Sequence, residues 1–295
     1  MELEVRARNI IISDASDARV ARRYIEMQKH SIAVPVRVLW KKQRKLVNTK
    51  LAKEALQIGA VPDEWLDAWN EMTRGFVRKD LMPEWIKGIS SAGSGIAKKV
   101  NRLQRKQFDF DTTMQSVRTW VDVQGGTLIA NLTTAQTNAV NTLLQNQIAQ
   151  GMTSPYVLSQ RAQQLVGLTE KEALYVSKVL TNLVAEGLPA NTVNSQIERL
   201  ANTLHKNRAS RIARTEISNA YNFGQMDSLR QATAEGWLPG LPEKNWMAGG
   251  ANPCEVCEDN EAAGYIPLEE TFPSGDEHPT AHPDCQCSLA YKIRR

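Results

Sequence analysis

The chain has 295 residues, of which 42% are hydrophobic and 23% charged, and a formal net charge of +4. That balance is ordinary for a soluble globular protein and allows about two domains, each burying its own core. No apolar run approaches the roughly 20 residues of a membrane span, and Met1–Arg8 lacks the apolar stretch of a secretory signal, so neither membrane contact nor export by that route is expected.

The charge is unevenly distributed. Residues 1–50 hold 12 Lys/Arg against 5 Asp/Glu, whereas residues 243–284 hold 10 Asp/Glu against one lysine. The two ends are therefore expected to meet different partners.

The first 50 residues cluster basic positions (Arg19, Arg22, Arg23, then Lys41, Lys42, Arg44, Lys45) with Tyr24 and Trp40 among them. Ile32–Trp40 is β-branched and contains Pro35, which predicts an extended arm or an edge strand. A basic arm of this kind suits nucleic acid or a protein partner. Residues 46–107 read as helices broken at Pro62 and Pro83, with Trp65, Trp69 and Met72 at helical spacing as core or a docking face. Ser90–Gly95 is expected to be a flexible hinge; its Gly-x-Gly lacks the strand and the lysine of a phosphate loop.

From 109 to 235 the pattern is helical throughout. Val140, Leu143, Leu144 and Ile148 form one stripe, and Ser154-Pro155 opens a further helix that Gly167 closes. Thr169 to Glu172 is a capping box for the next helix, which Gly187 and Pro189 stop. Asn191 is expected to open a fourth helix and Arg208 a fifth, and the short connections imply a bundle. After Gly236 the composition changes to Trp, Pro and Gly turns, a section of about 60 residues too small for a generous core without help such as a metal. The expected domains are 1–105 (basic N-terminal arm and helical region), 106–235 (helical bundle) and 236–295 (small zinc-binding domain). The fold class is mainly α, ending in a small irregular α+β domain stabilised by zinc.

All four cysteines lie at the end, as Cys254-x2-Cys257 and Cys285-x-Cys287, with His282 three positions before Cys285. In a reducing cytoplasm such pairs are metal ligands rather than disulfides. A CxxC turn aims two thiolates to one side, and zinc accepts four thiolates or three with an imidazole. Five donors (Cys254, Cys257, His282, Cys285, Cys287) thus compete for four positions, and either all four cysteines bind or His282 replaces one of the last two. A cysteine-rich closed shell leaves no place for a reacting water, which favours a structural ion. His278, Asp276, Glu277 and Asp284 nearby keep a catalytic reading open.

The second constellation is Arg208, Arg211, Arg214, Thr215, Glu216, Asn219 and Asn222, on one amphipathic helix with a basic flank. An arginine and a carboxylate there can fix a following loop through bidentate hydrogen bonds. The alternative, an Arg/Glu catalytic pair, has no nucleophile or base partner legible in the sequence.

Arg211-Ile-Ala-Arg214-Thr215-Glu216 with Ala220, Asn222 and Gly224, followed by Trp246, Cys254-x2-Cys257, Gly264 and His282-Pro283-x-Cys285-x-Cys287-x-Leu289, resembles the phage Mu F-like minor head protein family, also called the head morphogenesis or minor capsid family. The helical lead-in at Gly167–Thr169 and 170–187 is similar too, so the resemblance covers roughly 110–295. Gln286 stands where the family commonly has arginine. The resemblance implies a late, non-enzymatic structural protein of a tailed phage, present in few copies in the virion head. It implies association with the portal protein during assembly, contact with inner capsid or scaffolding protein and with packaged DNA, and a part in packaging or DNA ejection. The competing expectations are sequence-independent DNA binding through residues 1–50 and an ADP-ribosyltransferase-like activity at Glu216.

Overall fold

A computed structural model describes residues 9–105, 107–149, 151 and 154–294. The fold is mainly α with one small antiparallel sheet. It divides into two units that are each discontinuous in sequence: residues 32–82 with 122–210, and residues up to 31 with 83–121 and from 211 onward.

The first of these, the helical unit, holds the later part of α1 (Ala15–Arg44), then α2 (Thr49–Ile58) and α3 (Asp63–Phe76). It continues with most of α5 (Gln115–Ala149), then α6 (Pro155–Leu165), α7 (Glu170–Ala185) and the start of α8 (Ala190–Ala234). Its caps follow the sequence signals. Asn48 accepts from the Leu51 N–H at 3.0 Å, Pro155 begins α6 behind Ser154, and Thr169 and Glu172 cap each other reciprocally. Trp65 and Trp69 stack at 5.9 Å between centroids and are buried with Leu143, Leu165, Leu168 and Val193. They are core residues.

Residues 32–40 are helical, not extended, and belong to α1 with Pro35 inside it. Ile32, Val36, Leu39 and Gln43 are all buried. That period of three to four residues outweighs the weaker preference of β-branched residues for strands.

The sheet unit begins with β1 (Ile10–Ser13) and the early part of α1, and includes α4 (Met82–Gln104), which follows a single π-helical turn at Val77–Leu81. The later part of α8 precedes β2 (Leu241–Met247), α9 (Glu255–Ala262), β3 (Tyr265–Pro267) and β4 (Ser288–Arg294). The strand order is β1-β4-β2-β3, antiparallel throughout. Trp246 pairs with Leu289 and Lys244 with Tyr291, and the alternation turns all four toward a core that includes Met226 and Leu229 of α8. Trp85, Trp120 and Phe223 form a second aromatic group, with Trp120 and Phe223 stacked at 4.9 Å.

Two further expectations are corrected here. Ser90–Gly95 lies inside α4, so it is no hinge. A Cβ on Gly93 would sit 2.2 Å from the Phe110 ring, and the Gly93 carbonyl accepts from Ser228 Oγ at 3.0 Å. These small residues serve close packing rather than mobility. The helices expected to open at Asn191 and Arg208 are one element, α8, because neither glycine nor proline interrupts 190–210.

Candidate metal centre

Helix α8 of the sheet unit presents Arg214, Thr215, Asn219 and Asn222 to the loop that ends at Cys287. Arg214 Nε donates to Glu26 Oε1 at 2.5 Å, and its Nη1 to Asp284. Thr215 Oγ1 accepts from the Asp284 N–H at 2.9 Å. Asn219 Oδ1 accepts from both the backbone N–H and the hydroxyl of Thr280, at 3.1 and 2.8 Å. Asn222 Nδ2 donates to the Pro279 carbonyl at 3.2 Å. Residues at i, i+4 and i+7 lie on one helix face, which is how Thr215, Asn219 and Asn222 reach one loop together. Asp284 has φ 68°, in the left-handed region, where aspartate is among the better tolerated residues.

This clamp delivers the donors. Cys254 is the N-cap of α9 and Cys257 lies in its first turn, with the Cys257 N–H donating to the Cys254 carbonyl at 2.9 Å. His282 Nδ1 faces the Pro283 carbonyl at 3.0 Å, which makes it the protonated nitrogen and leaves Nε2 its lone pair. That Nε2 stands 3.4 Å from Cys257 Sγ, and Cys285 Sγ stands 3.8 Å from the same sulfur. Bond lengths of about 2.3 Å to sulfur and about 2.0 Å to nitrogen give tetrahedral edges of about 3.8 Å between sulfurs and about 3.5 Å between sulfur and nitrogen. The observed separations match those edges. The ligand atoms of Cys254, Cys257 and His282 lie within 4.8 Å of one another, and so do those of Cys257, Cys285 and Cys287. Cys257 belongs to both triplets and can bind a metal from the centre of the set.

Cys257, Cys285 and Cys287 are buried and Cys254 is exposed. Burial, with Cys287 close by, pushes the Cys257 thiol up to about 12. Cys285 and Cys287 share a hydrogen bond, which holds Cys287 down to about 6, helped by the Gly249 N–H, and moves Cys285 upward. One proton of this pair is thus readily given up, and a cation supplies the charge that favours releasing the rest. Gly249 is needed for the approach, since a Cβ there would lie 2.0 Å from the Gln286 carbonyl oxygen, between the last two cysteines.

The other predicted residues lie elsewhere. His278 Nδ1 faces the Pro279 carbonyl at 2.6 Å, and burial lowers its pKa. Asp276 accepts from Ser274 Oγ at 2.7 Å, and Glu277 accepts from Arg230 Nη2 at 3.1 Å. Asp284 is held by Arg214. None of these four contributes to the two triplets among the described residues. Within the arginine-rich constellation, Arg208 falls in the helical unit, where its guanidinium donates to the Gly167 carbonyl at 2.5 Å, and Glu216 is buried on α8. Sequence reading missed Glu26 as the partner of Arg214, because 188 residues separate them. It also missed Gly249, whose only signal is its place in a Gly-Gly turn.

Replacing Arg214 with methionine keeps much of the aliphatic stem but removes both ion pairs. The expected result is a 10- to 100-fold loss of metal affinity, as is usual when a group supporting a metal ligand is lost. Competition with a chromogenic chelator measures it, and unchanged affinity would show that the clamp does not set the loop.

Residues 175–290 match the family model described as Phage Mu protein F like protein. That span includes α8 and every donor of the cluster. Neither a curated protein nor a solved structure matches the chain.

Proposed function

From the match of residues 175–290 to the Phage Mu protein F like family model, we propose a minor head protein of a tailed phage that joins the portal vertex during head assembly. In this reading the protein stays in the virion head near the packaged DNA and takes part in packaging or ejection. The observation that carries the proposal is the coincidence of the family segment with the loop clamp. The α8 polar residues spend their hydrogen bonds on 279–284, and the Cys/His donors converge beyond it.

The same reading assigns the site no reaction. Arg214 is engaged by Glu26 and Asp284, and the inner thiols are closed off from water. The donor chemistry, sulfur with one imidazole, suits zinc held by four of Cys254, Cys257, His282, Cys285 and Cys287. Zinc there supplies a cross-link free of redox chemistry, joining α9 to the start of β4. No helix among the described residues is long and apolar enough to cross a membrane.

Co-expression with the portal protein of the same phage tests the proposal. A complex that survives size-exclusion chromatography is the expected outcome. Normal assembly of heads from which this chain is absent, with no complex recovered, would overturn it.

A further inference from the structure

The helical unit contains a site of different chemistry. A cavity of about 420 Å³ lies between α1 and α8, lined by Arg37, Lys41 and Arg44 together with Trp40, Asn202 and His205. The three basic residues follow one another at intervals of four and three, so they share one face of α1. No carboxylate lines this cavity among the described residues. An adjoining cleft of about 790 Å³ shares Arg44 and Asn202 and adds Arg161, several amide side chains, and Glu198 as its one carboxylate.

The floor of the cavity is built. Trp40 is 1% exposed and packs on Gly167, where a Cβ would lie 2.5 Å from the indole, and φ is +90°. The Arg208 guanidinium stands 5.5 Å from the Trp40 ring centroid and the His205 ring 5.6 Å from it. His205 Nδ1 lies 2.5 Å from the Ala201 carbonyl and Nε2 2.8 Å from the Val166 carbonyl. Two acceptors suit a doubly protonated ring. Burial and then the nearby Arg44 charge act the other way and lower its pKa to about 4.

Arg44 is the least balanced member of the set. Its Nε is buried with no hydrogen-bond partner. Burial and then the Arg37 charge disfavour its cationic form, with Glu198 acting in the opposite direction. Positive charge is thus gathered around a concave, rigid floor with little of the chain's own negative charge to offset it. A planar guanidinium offers paired N–H groups that fit an oxyanion.

We infer that the cleft formed by Arg37, Lys41 and Arg44 of the helical unit binds a phosphate-class oxyanion. Its source is either a free phosphate compound or the backbone of a single-stranded nucleic acid, for which the amide-lined neighbouring cleft continues the path. The inference does not rest on the head-protein reading and can fail without it.

Titration calorimetry on the full chain, at fixed pH and low salt, tests it with inorganic pyrophosphate and with a short oligothymidylate. Binding of pyrophosphate alone supports a free anion, binding of the oligonucleotide alone supports a backbone phosphate, and binding of both supports the shared chemistry. Arg44→Gln should weaken whichever ligand binds by at least tenfold. Lys41 is exposed, so Lys41→Gln keeps the fold and should weaken it by about threefold. Failure of both ligands to bind, or binding by Lys41→Gln and a folded Arg44→Gln equal to that of the unaltered chain, overturns the inference.

Discussion

Cys257→Ser should abolish stoichiometric zinc binding and lower the stability of the sheet unit by about 4–5 kcal/mol, at the upper end of single-substitution effects. The size follows from the position of this thiol in both donor triplets. Structural zinc contributes about 10–16 kcal/mol of apparent binding free energy in small modules, so losing a central ligand outweighs the about 1–3 kcal/mol of an unsatisfied buried hydroxyl. Cys254→Ser and Cys287→Ser each remove a donor from one triplet and leave the other triplet whole, so each should cost less than Cys257→Ser. Elemental analysis gives the stoichiometry and calorimetry the stability. A strong chelator should destabilise the unaltered protein to the level of Cys257→Ser while leaving that variant unmoved. One equivalent of zinc retained by Cys257→Ser, with an unchanged melting temperature, would refute the arrangement.

Gly224→Ala should destabilise the same unit by about 2–3 kcal/mol, against the usual direction of that change. In an ordinary helix interior alanine gains roughly 1 kcal/mol over glycine. At position 224, however, the new Cβ would lie 2.4 Å from the Ile89 carbonyl oxygen and 2.7 Å from the Ile89 Cα. Those atoms are backbone in α4 and cannot rotate aside, so the helices must separate, and such overpacking costs typically 1–3 kcal/mol. Neighbouring Gly88, whose added Cβ would meet Ala220 at 3.3 Å, marks the same close crossing. Gly126→Ala is the matched control, because nothing lies within 4 Å of its added Cβ, and it should stabilise by up to about 1 kcal/mol. Urea denaturation of both variants decides the matter. Equal shifts of the same sign would show that the crossing yields.

Features set by local chemistry were legible in the sequence. The capping box at Thr169, the proline start at Pro155 and the convergence of the CxxC with the His-Pro-x-Cys-x-Cys segment each depend on residues close together in the chain, or on a ligand chemistry that demands proximity. Features set by packing were not. Ile32–Trp40 carries strand-like residues, yet its buried stripe has a helical period. Ser90–Gly95 has the composition of a hinge, yet Gly93 admits an aromatic ring and a hydrogen-bond donor. The Arg214 clamp was half visible: a loop-fixing arginine was foreseen on this helix, but its partners Glu26 and Asp284 lie on other elements. β1 left no usable trace, since four apolar and small residues near a charged stretch do not announce a partner strand so distant.

That distant pairing has a consequence for biosynthesis. Tyr291 donates its backbone N–H to Ser13 Oγ across 278 residues of chain. On a translating ribosome β1 is made long before β4 and must wait for its strand partner until β4 has been made. The helical unit is complete at residue 210 and can condense first, because domains generally fold as their residues emerge. The sheet and the Cys/His cluster beside α9 are then the last parts to settle, so with the proposed zinc at that cluster, scarcity of metal is expected to leave nascent chains half folded rather than wholly unfolded.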